Sequence, residues 1–205
     1  MVRHETHRVS GVTHLIVAVS EPPQRELQLQ RRTMKYLHGL MAGQWILSPQ
    51  WLQDCVKANS LLPEDRYEVQ SSPKARKKRA PRRAREEVRV HGSSRLFERY
   101  VVALIGDFPG PLSPTKKDLT ELLVAGRGVL ECGVDELLHE RHHGTNRVVI
   151  FGWGGDRGGR VAGARVIEQR VGKEVPVVHY NWLVDCIDSY SLLSPKQYLH
   201  SLVVD

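Results

Sequence analysis

Apolar, β-branched residues fill "VTHLIVAV", Val12 to Val19, and predict a buried strand that "EPPQ" breaks. Arg31 to Met41, "RRTMKYLHGLM", then places Met34, Leu37, Leu40 and Met41 at helical spacing, and Gly43 is suited to end that helix. "WILS" reads as a short strand. Ser48-Pro49 supplies a helix start, with Ser as N-cap and Pro in the first turn. In the helix that follows, Gln50 to Ala58, the apolar stripe is Trp51, Leu52, Cys55 and Val56. Further on, "RYVVALIG" (Arg99 to Gly106) predicts a strand and Lys116 to Ala125 a helix with Leu119, Leu122 and Leu123 inward, ended by "GRG" with Gly126 and Gly128. "VLE", "RVVIFG" and "VPVVH" read as strands, with helices around Ala162 to Arg170 and from Asn181.

The last element repeats an earlier one. "WLQDCVKANSLL", Trp51 to Leu62, returns as "WLVDCIDSYSLL", Trp182 to Leu193, and seven of the twelve positions coincide at an offset of 131. At the same offset Tyr67 falls on Tyr198 and Ile46-Leu47 on Val177-Val178. Two copies of one domain follow. The second has the order β-α-β-β-α-β-α, so the expected class is α/β, each domain a four-stranded, mainly parallel sheet flanked by helices. Aligned backward, the first copy lacks its opening strand and helix, so it is expected to be N-terminally truncated and the chain a fragment. The expected division is residues 1–70 for the first domain, 71–98 for a basic linker and 99–205 for the second domain.

Charge is concentrated in one place. "SSPKARKKRAPRRAR", Ser71 to Arg85, carries eight Lys or Arg and no acid, while the whole chain is at +7, so the other 190 residues sit near −1. Lys74, Arg76, Lys77, Lys78, Arg79, Arg82 and Arg83 form a candidate nuclear-import signal; contact with a phosphate backbone and a solvated linker are the alternatives. "REEVRVHGSSRLF" can form a helix packed between the two domains. There is no run of eighteen apolar residues and no membrane partner is expected. The three cysteines are widely spaced, and Cys55 and Cys186 hold equivalent positions behind Trp51 and Trp182, which fits core packing in a reducing compartment better than disulfides.

Helix–Gly–Trp–strand–Trp-x-x-x-Cys in tandem resembles the BRCT domains of DNA-damage-response proteins, above all the C-terminal pair of the type 1 breast-cancer susceptibility protein and that of its RING-domain partner. "RTMKYLHGLMAGQWILSPQWLQDCV", Arg32 to Val56, is similar to the first domain of such pairs; "KKDLTELLVAGRGVL" and "NWLVDCIDSYSLL" are similar to the second and lean toward the RING partner. The resemblance implies phosphoserine reading, with Thr33 supplying a hydroxyl and Lys35 an ammonium to the phosphate. Arg32 matches a residue that contacts the peptide main chain, and Leu37 stands where the family places an aromatic in the pocket for a Phe three residues after the phosphoserine. At the offset of 131, Thr33 and Lys35 become Ala164 and Val166, so only the first copy is expected to hold phosphate. The family's further phosphate contacts lie in the part missing here; Ser10-Gly11 is read as a turn.

On this resemblance the expected partners are phosphorylated DNA-repair proteins with pSer-x-x-Phe motifs, in the nucleus, and a RING heterodimer partner through regions outside this chain, where ubiquitin-ligase activity would reside. The alternative is a chromatin reader of nucleosome and ubiquitin that needs no phosphate. Trp51, Cys55, Trp182, Cys186, Gly126 and Gly128 are expected to be structural. No nucleophile–base–orienter set and no paired carboxylates in a motif occur, so a binding module rather than an enzyme is expected, with no cofactor. Cys132, His139, His142 and His143 match no zinc spacing and fall in an expected surface loop, and "GWGGDRGGR" lacks the residues of a phosphate-binding loop and is expected to be a mobile surface loop.

Overall fold

The computed structural model of the protein describes residues 11–20, 28–108, 114–142, 144–152 and 157–199. The chain divides into two compact units, one of Met1–Ser94 with Ile187–Ser191 and one of Arg95–Cys186 with Leu192–Asp205.

In the second unit, β3 (Tyr100–Gly106), β4 (Val129–Glu131), β5 (Asn146–Gly152) and β6 (Val177–Val178) form one sheet, in the order β4-β3-β5-β6. Every pairing is parallel, with Val101 opposite Val129, Val102 opposite Val148 and Ile150 opposite Val178. Parallel strands require crossovers. These contain α5 (Lys116–Ala125), α6 (Val134–Leu138) and α7 (Arg157–Val171), and α8 (Asn181–Asp188) follows the last strand. The interior strands are covered on both faces, which is why Val101, Val102, Ala103 and Val148, Val149, Ile150 are consecutive apolar residues exposed by 2 % or less. Thr115 caps α5 through a reciprocal capping box with Asp118, Gly126 ends the helix, and Gly128 lies against Leu123.

The first unit repeats the second half of this order. The two-stranded parallel sheet of β1 (His14–Ile16) and β2 (Trp45–Leu47) is followed along the chain by α2 (Pro49–Ala58), while α1 (Met34–Met41) lies between the strands. At the offset of 131, β1, β2, α2 and α1 correspond to β5, β6, α8 and α7. Among the described residues β1 pairs along its length with β2 alone, so Leu15 and Ile16 are half-buried. The buried strand expected over Val12 to Val19 is therefore corrected: the strand is His14–Ile16, an edge of this two-stranded sheet, and none of its residues is fully buried.

The repeated segment recurs because it carries one hydrogen-bond set. Trp51 Nε1–H donates to the Leu62 carbonyl and Trp182 Nε1–H to that of Leu193, both at 2.9 Å. The Leu62 amide donates to Cys55 Sγ at 3.3 Å and the Leu193 amide to Cys186 Sγ at 3.2 Å. Tyr67 donates to Asp54 at 3.0 Å and Tyr198 to Asp185 at 2.9 Å. Trp, Asp, Cys, Leu and Tyr thus hold the closing helix to the loop and 3₁₀ turn that follow it. All three cysteines are free thiols, Cys55 and Cys186 buried and Cys132 exposed.

Four local expectations change. In α2 only Trp51 and Cys55 are buried; Leu52 and Val56 are 48 % and 79 % exposed, although their counterparts Leu183 and Ile187 are fully buried. Leu52 and Val56 sit about 100° round the helix from the Trp51–Cys55 line, so their burial depends on what covers the outer face. The basic segment expected as a linker forms α3 (Pro73–Lys77) and α4 (Ala80–His91) within the first unit. Ala75, Ala80 and Ala84 are buried, and Val88 packs where a side chain on Gly43 (φ +66°) would stand, 2.8 Å from its Cβ. Arg85 stacks on Trp45 at 3.4 Å and pairs with Glu68. Small residues facing inward turn a highly charged run into a packed helix. The stretch from Cys132 to His142, expected as a surface loop, contains α6 with Val134 and Leu137 buried. His142 lies 2.7 Å from Glu131, and among the described residues no group of three metal-ligating side chains forms; His143 lies outside them. Finally, Arg157 to Arg160 of the Gly-rich stretch belong to the first turn of α7, while residues 153–156 lie outside the described residues.

Two buried phenols give the first unit an alkaline limit. Burial raises the Tyr36 pKa far above the ordinary tyrosine range, with the Asp188 charge adding to it, and burial does the same to Tyr190, which donates to Ser94 Oγ at 2.9 Å. A folded pKa above the unfolded one contributes stability that is complete below the unfolded value near 10 and is lost as pH rises beyond it. Unfolding free energies from denaturant titrations between pH 8 and 11 are expected to fall above pH ~10, with a slope approaching about 1.4 kcal/mol per pH unit for each phenol. Tyr36→Phe should flatten that slope by one such share.

Candidate phosphopeptide site

The first turn of α1 gathers the residues that the sequence points to. Thr33 is the N-cap, with extended backbone (φ −100°, ψ 161°), and its Oγ1 accepts the Tyr36 amide at 3.2 Å. Its carbonyl accepts the Leu37 amide at 3.1 Å. Among the described hydrogen bonds the Met34 and Lys35 amides meet no acceptor, as expected for the first turn of a helix. The Thr33 hydroxyl accepts one bond while keeping its own proton to donate. Thr33 and Lys35 are exposed, Arg31 and Arg32 flank them, and the first turn contains no acid. An exposed helix N-terminus with a hydroxyl, outward amides and three nearby cations is chemically a receptor for a dianion.

Arg32 is held on one side. Its Nη1 lies 3.7 Å from Asp188 Oδ2, with the arginine side chain 42 % exposed and the aspartate 9 %. Asp188 belongs to the short segment Ile187–Ser191 that forms part of the first unit. It is a site residue that sequence reasoning missed. Its signal was available: a carboxylate at the end of an apolar helix, where a buried charge requires a cationic partner. Leu37, expected to wall a peptide pocket, is 2 % exposed and packs in the core with Leu40 and Met41.

At the equivalent position the described residues of the second unit form no such turn. Ala164 and Val166 lie in the middle of α7, whose first turn begins at Arg157, so their amides face helical carbonyls rather than solvent. The difference between copies thus extends from side chains to backbone. Ser10 lies outside the described residues. A cavity of about 770 Å³ elsewhere in the first unit is lined by His14, Trp45, Asp65, Arg82 and Arg85 among others, and none of Arg32, Thr33, Lys35 and Leu37 borders it. The α1 turn is an open surface.

Comparison with known proteins agrees with this architecture. The family model described as the BRCA1 C Terminus (BRCT) domain matches residues 6–56. Over 136 residues the chain is 28 % identical to BRCA1-associated RING domain protein 1 of Arabidopsis thaliana, covering 66 % of this chain and 18 % of that protein. Over 60 residues it is 32 % identical to the BREAST CANCER SUSCEPTIBILITY 1 homolog of the same plant, covering 29 % of this chain and 6 % of that protein. The chain therefore spans less than a fifth of the length of these relatives. Among solved structures it resembles the BRCT5-BRCT6 domains of S. pombe Brc1, with a TM-score of 0.57, 20 % identity, and coverage of 87 % of this chain and 78 % of that one. It also resembles Rtt107p in complex with a phosphorylated histone, with a TM-score of 0.53, 16 % identity, and coverage of 82 % and 70 %. At such identities the structural likeness concerns the fold.

Proposed function

We propose that this chain is a pair of BRCT repeats in tandem and serves as a phosphoserine-peptide-binding module of a nuclear DNA-damage-response scaffold. The observation that carries this reading is the open first turn of α1, where Thr33, Lys35 and two amides without a helical acceptor lie together with no acid in the turn itself. Thr33 Oγ1–H and the Met34 and Lys35 amides would donate to phosphate oxygens while Lys35 Nζ supplies the countercharge. Arg32, steadied by Asp188 and still 42 % exposed, would donate to a main-chain carbonyl of the peptide. With Leu37 buried, the selection of a residue three places after the phosphoserine would be weak. Support from relatives is of the same kind: one structural neighbour is seen with a phosphorylated histone, and the curated relatives include a BRCA1-associated RING protein. Any ubiquitin-ligase activity would reside in a RING domain outside this chain. Phosphorylated repair or chromatin proteins are the expected partners.

Fluorescence anisotropy with a pSer-x-x-Phe peptide and its unphosphorylated twin tests the proposal. Phosphate-dependent binding is expected, weakened at least tenfold by Thr33→Ala or Lys35→Met, the order of magnitude of losing a charge-assisted hydrogen bond. Equal binding of both peptides by the folded protein would remove phosphate reading and leave the phosphate-independent chromatin-reader reading.

A further inference from the structure

We propose that α3 and α4 form a docking surface for the phosphate backbone of duplex DNA, apart from the α1 site. From Arg76 to Arg83 there are six cations and no acid. Folding sorts this segment into two sides: Ala75, Ala80, Pro81 and Ala84 face the core, and Lys78 turns to Ser191 Oγ at 2.7 Å. Lys77, Arg79, Arg82 and Arg83 face solvent, and Arg89 follows nearly two turns further along α4. Arg82 is engaged by Glu86 at 2.8 Å. Lys77, Arg79, Arg83 and Arg89 have no carboxylate within ion-pairing distance among the described residues.

Three features select the partner. The segment is helical and anchored by buried alanines, so presenting it as an extended basic peptide to an import receptor would require pulling those residues out of the core. The exposed residues from Lys77 to Arg83 are all cations; further along α4 the exposed Glu86 is taken up by Arg82 and Val90 is a single exposed aliphatic, with no aromatic anchor of the kind that carries protein–protein affinity. A polyanion with uniformly spaced charge needs no such anchor. From Arg79 to Arg89 the helix runs about 15 Å, and with one phosphate per ~3.4 Å of axis on each strand it can face about four of them. The contact would be sequence-neutral and could hold a phosphoprotein reader on chromatin without competing for the α1 turn.

A fluorescein-labelled 20-base-pair duplex, titrated with the intact chain between 50 and 200 mM KCl, tests this. With these four cations each meeting a phosphate, log K is expected to fall against log salt with a slope of about −3.6. Lys77→Gln with Arg83→Gln should reduce that slope by about 2 and weaken binding at 50 mM salt at least tenfold, with the thermal midpoint and phosphopeptide affinity unchanged. Arg89→Gln alone, at the far end of α4, should remove about 1 from the slope. Arg79 has a left-handed backbone (φ 50°), and Arg79→Asn tests its charge with a residue that tolerates that conformation. No binding at 50 mM salt, or an unchanged slope in the folded variants, would overturn the proposal. Capture of the segment by an import receptor with no binding to duplex would overturn it in favour of a transport signal.

Discussion

Trp182→Ala is expected to destabilise the second unit by about 3–5 kcal/mol, enough to remove much of the margin of an ordinary domain. The side chain is fully buried, 5.4 Å from the ring of Tyr100 and 6.0 Å from that of Phe97. Three aromatic groups that enclose one another relax little when one is deleted, so the cavity persists and its cost adds to the lost transfer energy. The indole also closes the loop after α8 by donating to the Leu193 carbonyl. Trp182→Phe separates the two effects: it keeps most of the volume and loses the bond, and should cost about 1–2 kcal/mol plus a small packing term. Urea denaturation followed by far-ultraviolet circular dichroism reads both. Trp51→Ala offers an internal comparison, since it breaks the same hydrogen bond from a tryptophan that is 6 % exposed and stacked on His14 at 4.9 Å. Because the bond lost is the same in both, a smaller loss at Trp51 than at Trp182 would locate the difference in packing.

The two tryptophans also show what was legible in the sequence. A repeat held at one offset located both closing helices, and Trp, Asp, Cys, Leu and Tyr, shared between copies, turned out to belong to one bonding pattern. Periodicity placed α2, α5, β2 and β4 to within a residue or two, because in each the local preference and the tertiary demand agree. Burial was less legible. Leu52 and Val56 look as apolar as Leu183 and Ile187, yet the first pair is exposed and the second buried. The α3–α4 segment was obscured by its own charge: eight cations suggest a solvated linker, whereas the alanines between them make the packed face. At the α1 turn, sequence singled out Thr33 and Lys35 and the contrast with Ala164 and Val166. It did not reveal that Asp188, 156 positions from Arg32, would steady the arginine, since a pairing at that separation exists only once the chain has folded.

That α1 begins so late relative to its counterpart is what the proposed phosphate site rests on. If α1 started where α7 starts, eight residues earlier in the repeat frame, the Met34 and Lys35 amides would be bonded within the helix and could not reach an anion. One fold thus supports two uses of the same position, interior helix in one unit and open N-terminus in the other. On the proposed reading, the start of the helix, more than the identity of the two side chains, is what would let the first unit and not the second hold an anion.

Gly106→Ala is expected to cost about 2–5 kcal/mol from two separable sources. β3 and β5 end on a pair of facing glycines, Gly106 opposite Gly152. Gly106 adopts φ +86°, where a side chain alone adds about 1–2 kcal/mol, and a Cβ built on it would stand 2.2 Å from the Gly152 carbonyl oxygen. That neighbour is backbone, held in the ladder and accepting the Asp107 amide at 3.2 Å, so it cannot step aside as a flexible side chain would. The strands would have to part, at an overpacking cost of about 1–3 kcal/mol. Gly172 supplies the control within the same unit: its φ is +76° and a Cβ there would meet nothing within 4 Å. Gly172→Ala should therefore show the conformational cost alone, and the difference between the two variants in urea denaturation measures the closeness of the strand ends. Equal losses at both positions would mean that β3 and β5 do not approach as tightly as the Gly106–Gly152 pair indicates. A larger loss at Gly106 would explain why two strands otherwise rich in valine and isoleucine both finish on glycine: the chain leaves the sheet at that point through a gap too narrow for any side chain.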